Sequence, residues 1–294
     1  RFREVESAAG WIDLTPPLFA LLDRWKTDRD ALRRRLAIAG FAVHRIDPGE
    51  ALTAAVCDPD LPLRTRAARA VWQLGRRDLV GLIRYDDPDQ STRFSACWAG
   101  ALLAREPEAV AGLRRFAETG ERYPDRAVQL AGLCMDATSA RAWQRTLPVR
   151  LGILGTWALA DPADLPWLLD HCEHPATARI AAEAVTAITG LRPAPLPSAP
   201  PAPHPADLAL PHPDPAPFRA ACESLRLPAG VRHQLGVPIG EPLLRTHLRT
   251  ARMRIRTLAA TELALRSRSP LFEVRASTPH QLRRLAVLGS GGDR

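Results

Sequence analysis

The sequence predicts an all-α protein in which helical hairpins stack side by side as a superhelical solenoid. Its composition favours helices, because alanine and leucine carry most of a 46 % hydrophobic content, while aromatic residues make up only 5 % of the chain. Strand-forming residues are too sparse for a large sheet. A motif of one turn and one helix also recurs about every 30 residues, a length typical of one helical hairpin per repeat.

The repeat is clearest at two turns, Asp58-Pro59-Asp60 and Asp87-Pro88-Asp89, which lie 29 residues apart. The residue before a proline avoids helical backbone, so each turn ends one helix. An aspartate side chain can then cap the helix that follows. One such hairpin cannot bury its apolar face alone, so stacking has to provide the core. The spacing predicts HEAT-like units in an ARM/HEAT-type solenoid.

An arginine opens each predicted inner helix. We expect each of these repeat arginines to pair with the aspartate of its own turn or of the neighbouring turn, and so to align successive repeats. Arrayed charges of this kind are usually structural, and that role is favoured here over a functional one. The repeat arginines are Arg64, Arg93, Arg126, Arg150 and Arg179.

Four segments are predicted along the chain. Residues 1–50 form N-terminal capping helices, and residues 51–190 form the HEAT-like repeats. Residues 191–217 carry a proline at nearly every second or third position, which prevents a helix and favours extended backbone. This segment is expected to be a linker or a strap laid along the solenoid. Residues 218–294 form a C-terminal helical region.

Helical patterning returns in several short stretches of the C-terminal region. The predicted helices are Phe218–Leu225, Val231–Leu235, Pro242–Ala251 and Arg252–Arg266. The last two are compatible with one continuous helix, since no glycine or proline separates them.

The chain is strongly basic, with a net charge of +8 and an isoelectric point of about 10.2. A basic domain suggests a nucleic-acid partner. Lys26, however, is the only lysine, so almost all of the positive charge is arginine. With abundant alanine and proline, this skew is typical of a GC-rich genome, an explanation that we favour over selection for a polyanion.

The most conspicuous basic feature is a stripe of arginines in the predicted C-terminal helices. Arg245, Arg249, Arg252 and Arg256 are spaced four, three and four residues apart, which places them on one helical face. They are candidate partner-binding residues for phosphate or acidic groups. The alternative, favoured slightly, is the solvated side of an amphipathic helix.

No arrangement of residues predicts catalysis, a cofactor or a metal site. His171-Cys172-Glu173-His174 is the densest set of metal-ligand types, but zinc needs three or four converging ligands and no second ligand pair is present. The acidic turns recur at equivalent places in two repeats, which favours a turn role over acid–base chemistry. A single lysine also excludes a usual phosphate-binding loop.

Five cysteines, Cys57, Cys97, Cys134, Cys172 and Cys222, are far apart and odd in number. Disulfide frameworks are usually even and dense, so we expect reduced, buried cysteines in a cytoplasmic protein. No apolar run approaches the roughly 18 residues that suggest a membrane span.

Several stretches resemble an uncharacterised family of proteobacterial HEAT-repeat proteins, whose genes often lie beside type VI secretion clusters. The resemblance is carried by Ala178–Gly190, Gly230–Gly236, Arg254–Leu265 and Pro270–Ala276, and it covers most of the chain from about residue 30 onward. It implies an ARM/HEAT-type fold, no known reaction or cofactor, and a protein partner in secretion.

Three functions follow as hypotheses. The first is a non-catalytic scaffold or adaptor that binds a protein through the extended surface of the solenoid. The alternative is a nucleic-acid-binding solenoid that uses an arginine-rich face. An enzyme ranks last, because no residue can be named for its chemistry.

Overall fold

The computed structural model describes residues 12–290, so the outer ends of the first and last predicted segments lie outside the described residues. Helices dominate this part of the chain, and its only sheet is a hairpin of two short strands, which confirms the all-α class. The α-helices are α1 (Pro16–Trp25), α2 (Ala31–Val43), α3 (Glu50–Ala55), α4 (Leu61–Leu74), α5 (Gln90–Ala104), α6 (Pro107–Thr119), α7 (Pro124–Cys134), α8 (Ala137–Gln144), α9 (Val149–Leu159), α10 (Leu165–Cys172), α11 (Ala178–Thr189), α12 (Pro215–Glu223), α13 (Glu241–Thr250), α14 (Met253–Ser267) and α15 (Thr278–Ser290).

Three short 3₁₀ helices and the hairpin complete the described elements. The 3₁₀ helices are Arg77–Leu82, Pro162–Asp164 and Pro205–Asp207, and the strands are β1 (His233–Gln234) and β2 (Val237–Pro238). The strands pair antiparallel. The helices fall into two compact units, the first containing residues up to Leu113 and from Leu244 onward, the second containing Arg114–Leu243.

In the first unit, α2 packs against α4 and α4 packs against α5. Fully buried alanines, such as Ala67, Ala70 and Ala99, line these helices and let their backbones approach closely. Larger buried side chains then fill the remaining space, which produces the close packing of a protein core. The largest of these are Ile38, Phe41, Leu52, Leu63, Leu102, Leu103 and Leu113.

In the second unit, α7 packs against α9, and α9 packs against α11. The largest fully buried side chains of this core are Leu130, Ile153, Leu168, Ile180 and Ile188. The proline-rich segment between α11 and α12 doubles back on itself: Leu196 donates its amide to the carbonyl of His212, and Asp214 donates to that of Ala194, each at 2.9 Å. Paired backbone of this kind gives the segment a defined conformation despite its prolines.

Two helix predictions for the C-terminal region are corrected by the structure. The predicted helix Val231–Leu235 is wrong, because Leu235 and Gly236 have φ values of 52° and 79° and form the two-residue turn between β1 and β2. Positive φ at both turn positions matches the twist of a hairpin. α13 and α14 are separate helices, because Arg252 is extended, with ψ at 155°.

A glutamine side chain occupies the space between three helices of the second unit. Both polar side-chain atoms of Gln144 are buried without a hydrogen-bond partner among the described residues. A Cβ added to Gly132 would lie 2.6 Å from its Nε2, and a Cβ added to Gly155 would lie 2.7 Å from its Cδ. A side chain at either position would overlap with Gln144, so both positions require glycine.

We expect Gly155→Ala to destabilise the protein by about 1–3 kcal/mol, because the overlap with Gln144 outweighs the better helix propensity of alanine. Denaturant unfolding of the variant measures this change. Gly81→Ala is the matched control, since no described atom lies within 4 Å of the position that its new methyl group would take. In a Gln144→Ala background the cost of Gly155→Ala should largely disappear; an unchanged cost would contradict this explanation.

Candidate functional site

At the turn before α5, the buried Asp87 joins three successive parts of the chain. Asp87 Oδ1 accepts the amide of Asp89 at 2.9 Å, and Oδ2 accepts Nε of Arg64 at 2.9 Å. The carbonyl oxygen of Asp87 accepts Nη1 of Arg93 at 2.9 Å. The turn thereby holds the arginine of the preceding helix and that of the following helix together. Asp89 separately caps α5 through the amide of Thr92.

The same arrangement recurs one turn earlier. Asp58 Oδ1 accepts the amide of Asp60 at 2.8 Å, Oδ2 accepts Nη2 of Arg34 at 2.8 Å, and the carbonyl oxygen accepts Nη1 of Arg64 at 2.8 Å. Arg64 therefore bonds both its own turn and the next one. We call this arrangement the Asp–Arg ladder.

A further copy of the ladder was missed from the sequence. Asp28 Oδ1 accepts the amide of Asp30 at 2.9 Å, and its carbonyl oxygen accepts Nη1 of Arg34 at 2.9 Å. Arg29 stands where the other turns have proline, which obscured the motif. The sequence does contain one signal of this copy, its spacing: Asp28 and Arg34 each lie 30 residues before Asp58 and Arg64.

The remaining repeat arginines have other partners in the second unit. Arg150 binds the buried carboxylate of Asp207. Arg179 donates to the carbonyl oxygens of Leu210 and Pro200, the latter at 2.9 Å. Both arginines thus fasten the proline-rich segment, instead of an Asp-Pro turn, to α9 and α11. Arg126 lies over the ring of Tyr123, at 6.0 Å from its centroid.

A second ionic cluster, not predicted from the sequence, lies at the end of α8. Arg141 bonds Asp161 and Asp164 at 2.8 Å each, and Arg145 bonds Asp164 at 2.7 Å. Burial acts to raise the pKa of Asp161, but two backbone amides and Arg141 outweigh it and lower that pKa. The Arg145 guanidinium also stacks 3.5 Å from the centroid of Trp167. The cluster fixes α8 against the turn before α10.

The histidines considered as metal ligands lie beside this cluster. His171 packs edge-on against Trp167, with ring centroids 4.4 Å apart, and the ring of His174 is 5.8 Å from that of His171. Burial, together with His174 and Arg145, lowers the pKa of His171. Within residues 12–290, no three His, Cys, Asp or Glu side chains converge as a metal site.

The hairpin of β1 and β2 caps the C-terminal ends of two helices in the second unit. The amide of His233 donates to the carbonyl of Ala160, which ends α9, at 2.8 Å. Arg232 adds bonds to two earlier carbonyls of α9, those of Leu159 at 2.7 Å and Ala158 at 3.0 Å. The last carbonyls of a helix have no partner within it, so the hairpin satisfies groups that would otherwise need water.

The end of α11 is capped by the turn of the same hairpin. The amides of Leu235 and Gly236 donate to the carbonyls of Ala187 and Ile188, at 2.7 and 2.8 Å. Gly190 lets the two backbones meet, because a Cβ there would lie 2.9 Å from the carbonyl oxygen of Leu235. The hairpin is therefore held by backbone bonds at both helix ends, to which Arg232 adds side-chain bonds at α9.

Three apolar side chains of this hairpin remain exposed to solvent. Val231 is 41 % exposed, Leu235 is 37 % exposed and Val237 is 48 % exposed. We call these residues the hairpin patch. Because the backbone beneath them is fixed at two helix ends, a partner could bind them without having to order a loop.

The arginine stripe does not form one helical face. Arg245 and Arg249 lie on α13, Arg252 lies in the break, and Arg256 lies on α14. Arg256 turns inward, donating to the carbonyl of Leu248 at 2.9 Å and to the side chain of Gln281. Arg249 and Arg252 are exposed, whereas the other two are half-buried. At least Arg256 of the stripe is therefore used for contacts within the protein.

The comparisons with known proteins leave the family open: no protein-family model and no curated protein sequence matches this chain. Among the described residues, none of the helices is both long and apolar enough to cross a membrane.

We expect Asp87→Asn to destabilise the protein by about 2 kcal/mol or more, because the side chain of Asp87 is only 3 % exposed and Arg64 would lose its carboxylate. Chemical denaturation measures the change. Asp86→Asn is the matched control: its carboxylate is 71 % exposed and pairs with an equally exposed Arg84, so its unfolding midpoint should stay at the wild-type value. Equal effects from the two variants would contradict a structural role for the ladder.

We expect Cys57, which is exposed, to react first with a maleimide at pH 8, while Cys172 and Cys222 react only after unfolding. Burial raises the pKa of Cys172 to about 12 and that of Cys222 to about 11, and the thiolate is the reactive form. These thiols ionise near 9.0 in the unfolded chain, so stability should fall as the pH rises above that value. Peptide mass spectrometry identifies the labelled residues, and early labelling of Cys172 would contradict its burial.

Proposed function

We propose that this chain is a non-catalytic scaffold of HEAT-like helical hairpins that binds a protein partner. The family resemblance in its sequence suggests that the partner belongs to type VI secretion. The observation that carries the proposal is the hairpin patch, three exposed apolar side chains on a rigid support, in a protein several of whose arginines are bonded within the fold.

The solenoid arrangement is supported by rows of consecutively packed helices. In the first unit these are α2, α4 and α5, and in the second they are α7, α9 and α11. One bond of the Asp–Arg ladder, from an arginine Nη1 to the main-chain carbonyl of the aspartate six residues earlier, repeats at three turns. Stacked hairpins are expected to repeat their interface contacts in this way, because each repeat contacts only its neighbours.

A protein partner is favoured over nucleic acid by the use of the arginines. Guanidinium groups of Arg64, Arg150, Arg179, Arg232 and Arg256 point at carbonyls or carboxylates inside their own unit. A guanidinium has five donors, and those already bonded cannot bind a phosphate without breaking internal contacts. These five arginines therefore serve the fold and offer fewer donors to a polyanion.

The hairpin patch has the features of a small interface core. Exposed apolar side chains that are grouped on one element mark protein-interaction sites more often than scattered ones do. Binding would bury Val231 and Val237 at no cost in backbone order, since the helix ends already fix the hairpin. A partner with a complementary apolar face fits this surface.

We expect Val237→Asp to weaken capture of the partner from the native host at least about tenfold, because burying an unpaired carboxylate in an apolar contact is costly. Quantitative mass spectrometry of affinity-purified complexes measures the capture. Val287→Asp is the control: it places the same charge at another exposed valine, 65 % exposed on α15. Thermal unfolding should be similar for both variants.

Two outcomes would count against the proposal. Equal capture by the Val237→Asp and Val287→Asp variants would remove the hairpin patch as the interface. DNA or RNA binding by the purified protein that falls steeply with salt, with no protein enriched above background, would favour the nucleic-acid alternative.

A further inference from the structure

An arginine occupies the C-terminal end of α2 in a backbone conformation that usually selects glycine. Arg45 has a φ of 61°, and its amide donates to the carbonyl of Ala42, while the next amide, of Ile46, donates to that of Phe41 at 2.9 Å. This pattern is a Schellman cap, in which a residue with a side chain is strained. Its guanidinium donates to the carbonyls of Gln73 and Leu271, the latter at 2.9 Å.

Two further basic side chains approach Arg45 from α15. His280 and Arg284 are four residues apart and share one face of this helix. The ring of His280 packs edge-on against that of His44, with centroids 5.3 Å apart. His280 Nδ1 and Arg284 Nε are both buried without a hydrogen-bond partner among the described residues. These two nitrogens are buried, although the side chains that carry them are only half-buried as a whole.

These groups repel one another without a bound carboxylate between them. Burial and the charge of Arg284 lower the pKa of Arg45 to about 10. Burial lowers the pKa of Arg284, and burial with Arg283 and Arg45 lowers that of His280. Glu273 and Asp13 act on Arg45 and His280 through space only, since neither makes an ion pair with them among the described residues.

Arg64 and Arg141 differ from Arg45 and Arg284 in having a carboxylate as a direct partner. Arg64 and Arg141 each contact a carboxylate that is nearly fully buried. Arg45, by comparison, meets two carbonyls, and Nε of Arg284 has no acceptor within residues 12–290. A buried cation without a counterion is costly, and the cost increases when a second cation lies beside it. An anion from solution would relieve that repulsion and satisfy the open donors.

We propose that Arg45, His280 and Arg284 form a binding site for a phosphate group. Arg284 and the imidazole N–H of His280 offer donors to a tetrahedral oxyanion, while Arg45, whose Nη1 and Nη2 already bond carbonyls, contributes mainly its charge. Free phosphate and the phosphoryl group of a small ester would both supply such an oxyanion. The site lies in the first unit and is independent of the hairpin patch.

Inorganic phosphate and glycerol phosphate are the probes, each compared with sodium chloride at the same ionic strength. We expect both phosphates to raise the melting temperature in a saturable way and to shift the imidazole signals of His280 in NMR spectra. If glycerol phosphate binds more tightly, the ligand of this site is a phosphorylated small molecule. If inorganic phosphate binds more tightly, the ligand is free phosphate. Stabilisation by chloride alone to the same extent would overturn the site.

Variants on α15 separate the site from general charge effects. Arg284→Gln should weaken phosphate binding at least about tenfold, because it removes a charge-assisted donor. Arg283→Gln removes the same charge from the exposed neighbouring position and should change binding less than about twofold. In phosphate-free buffer, Arg284→Gln should melt at or above the wild-type temperature, since it relieves repulsion. Equal loss of binding in both variants would overturn the proposal.

Discussion

The fold of the first unit depends on a buried aspartate, Asp87. Its carboxylate accepts Arg64 of the preceding helix and an amide of its own turn, and its main-chain carbonyl accepts Arg93 of the following helix. Asp87 fulfils this role because its side chain is short enough to accept the amide two residues on, and still presents its second oxygen to Arg64. The planar guanidinium then reaches two turns at once, which lysine could not do with a single ammonium group. Apolar packing alone would allow neighbouring helices to slide, whereas this geometry fixes their register.

In the second unit, different contacts fix the positions of the helices. Here the chain returns from the proline-rich segment, and the hairpin closes the ends of α9 and α11 with its own amides. Asp161 takes part as well, because its Oδ1 accepts the amide of Gly230 at 2.9 Å while its Oδ2 holds Arg141. Residues about 70 positions apart are thus joined by groups that the helices leave unsatisfied. The glycines at 190 and 236 permit this approach, because a Cβ at either position would lie within 3 Å of a carbonyl oxygen of the facing segment.

Much of the helical fold can be predicted from the sequence, and the reasons for the failures are physical. The turns at Asp58 and Asp87 carry local signals, proline and capping aspartate, so the predicted starts of α4 and α5 lie close to the observed ones. Apolar residues in Val231–Leu235 favour a helix locally, yet the conformation of this stretch depends on carbonyls of α9 and α11 that are distant in sequence. The partners of Arg150 and Arg179 are equally inaccessible, since no local pattern shows that the proline-rich segment returns to them.

The net charge of +8 has a different meaning once the arginines have been placed. An arginine bonded to helix-end carbonyls, such as Arg232, adds charge to the protein but offers few donors to an outside ligand. Charge counted from the sequence therefore overstates the number of donors that this chain offers to a polyanion. The cluster around Arg45 and Arg284 is informative for the opposite reason: its total charge is small, but it keeps donors that no described carboxylate accepts. The position of an anion site depends more on which donors remain open than on how many charges are present.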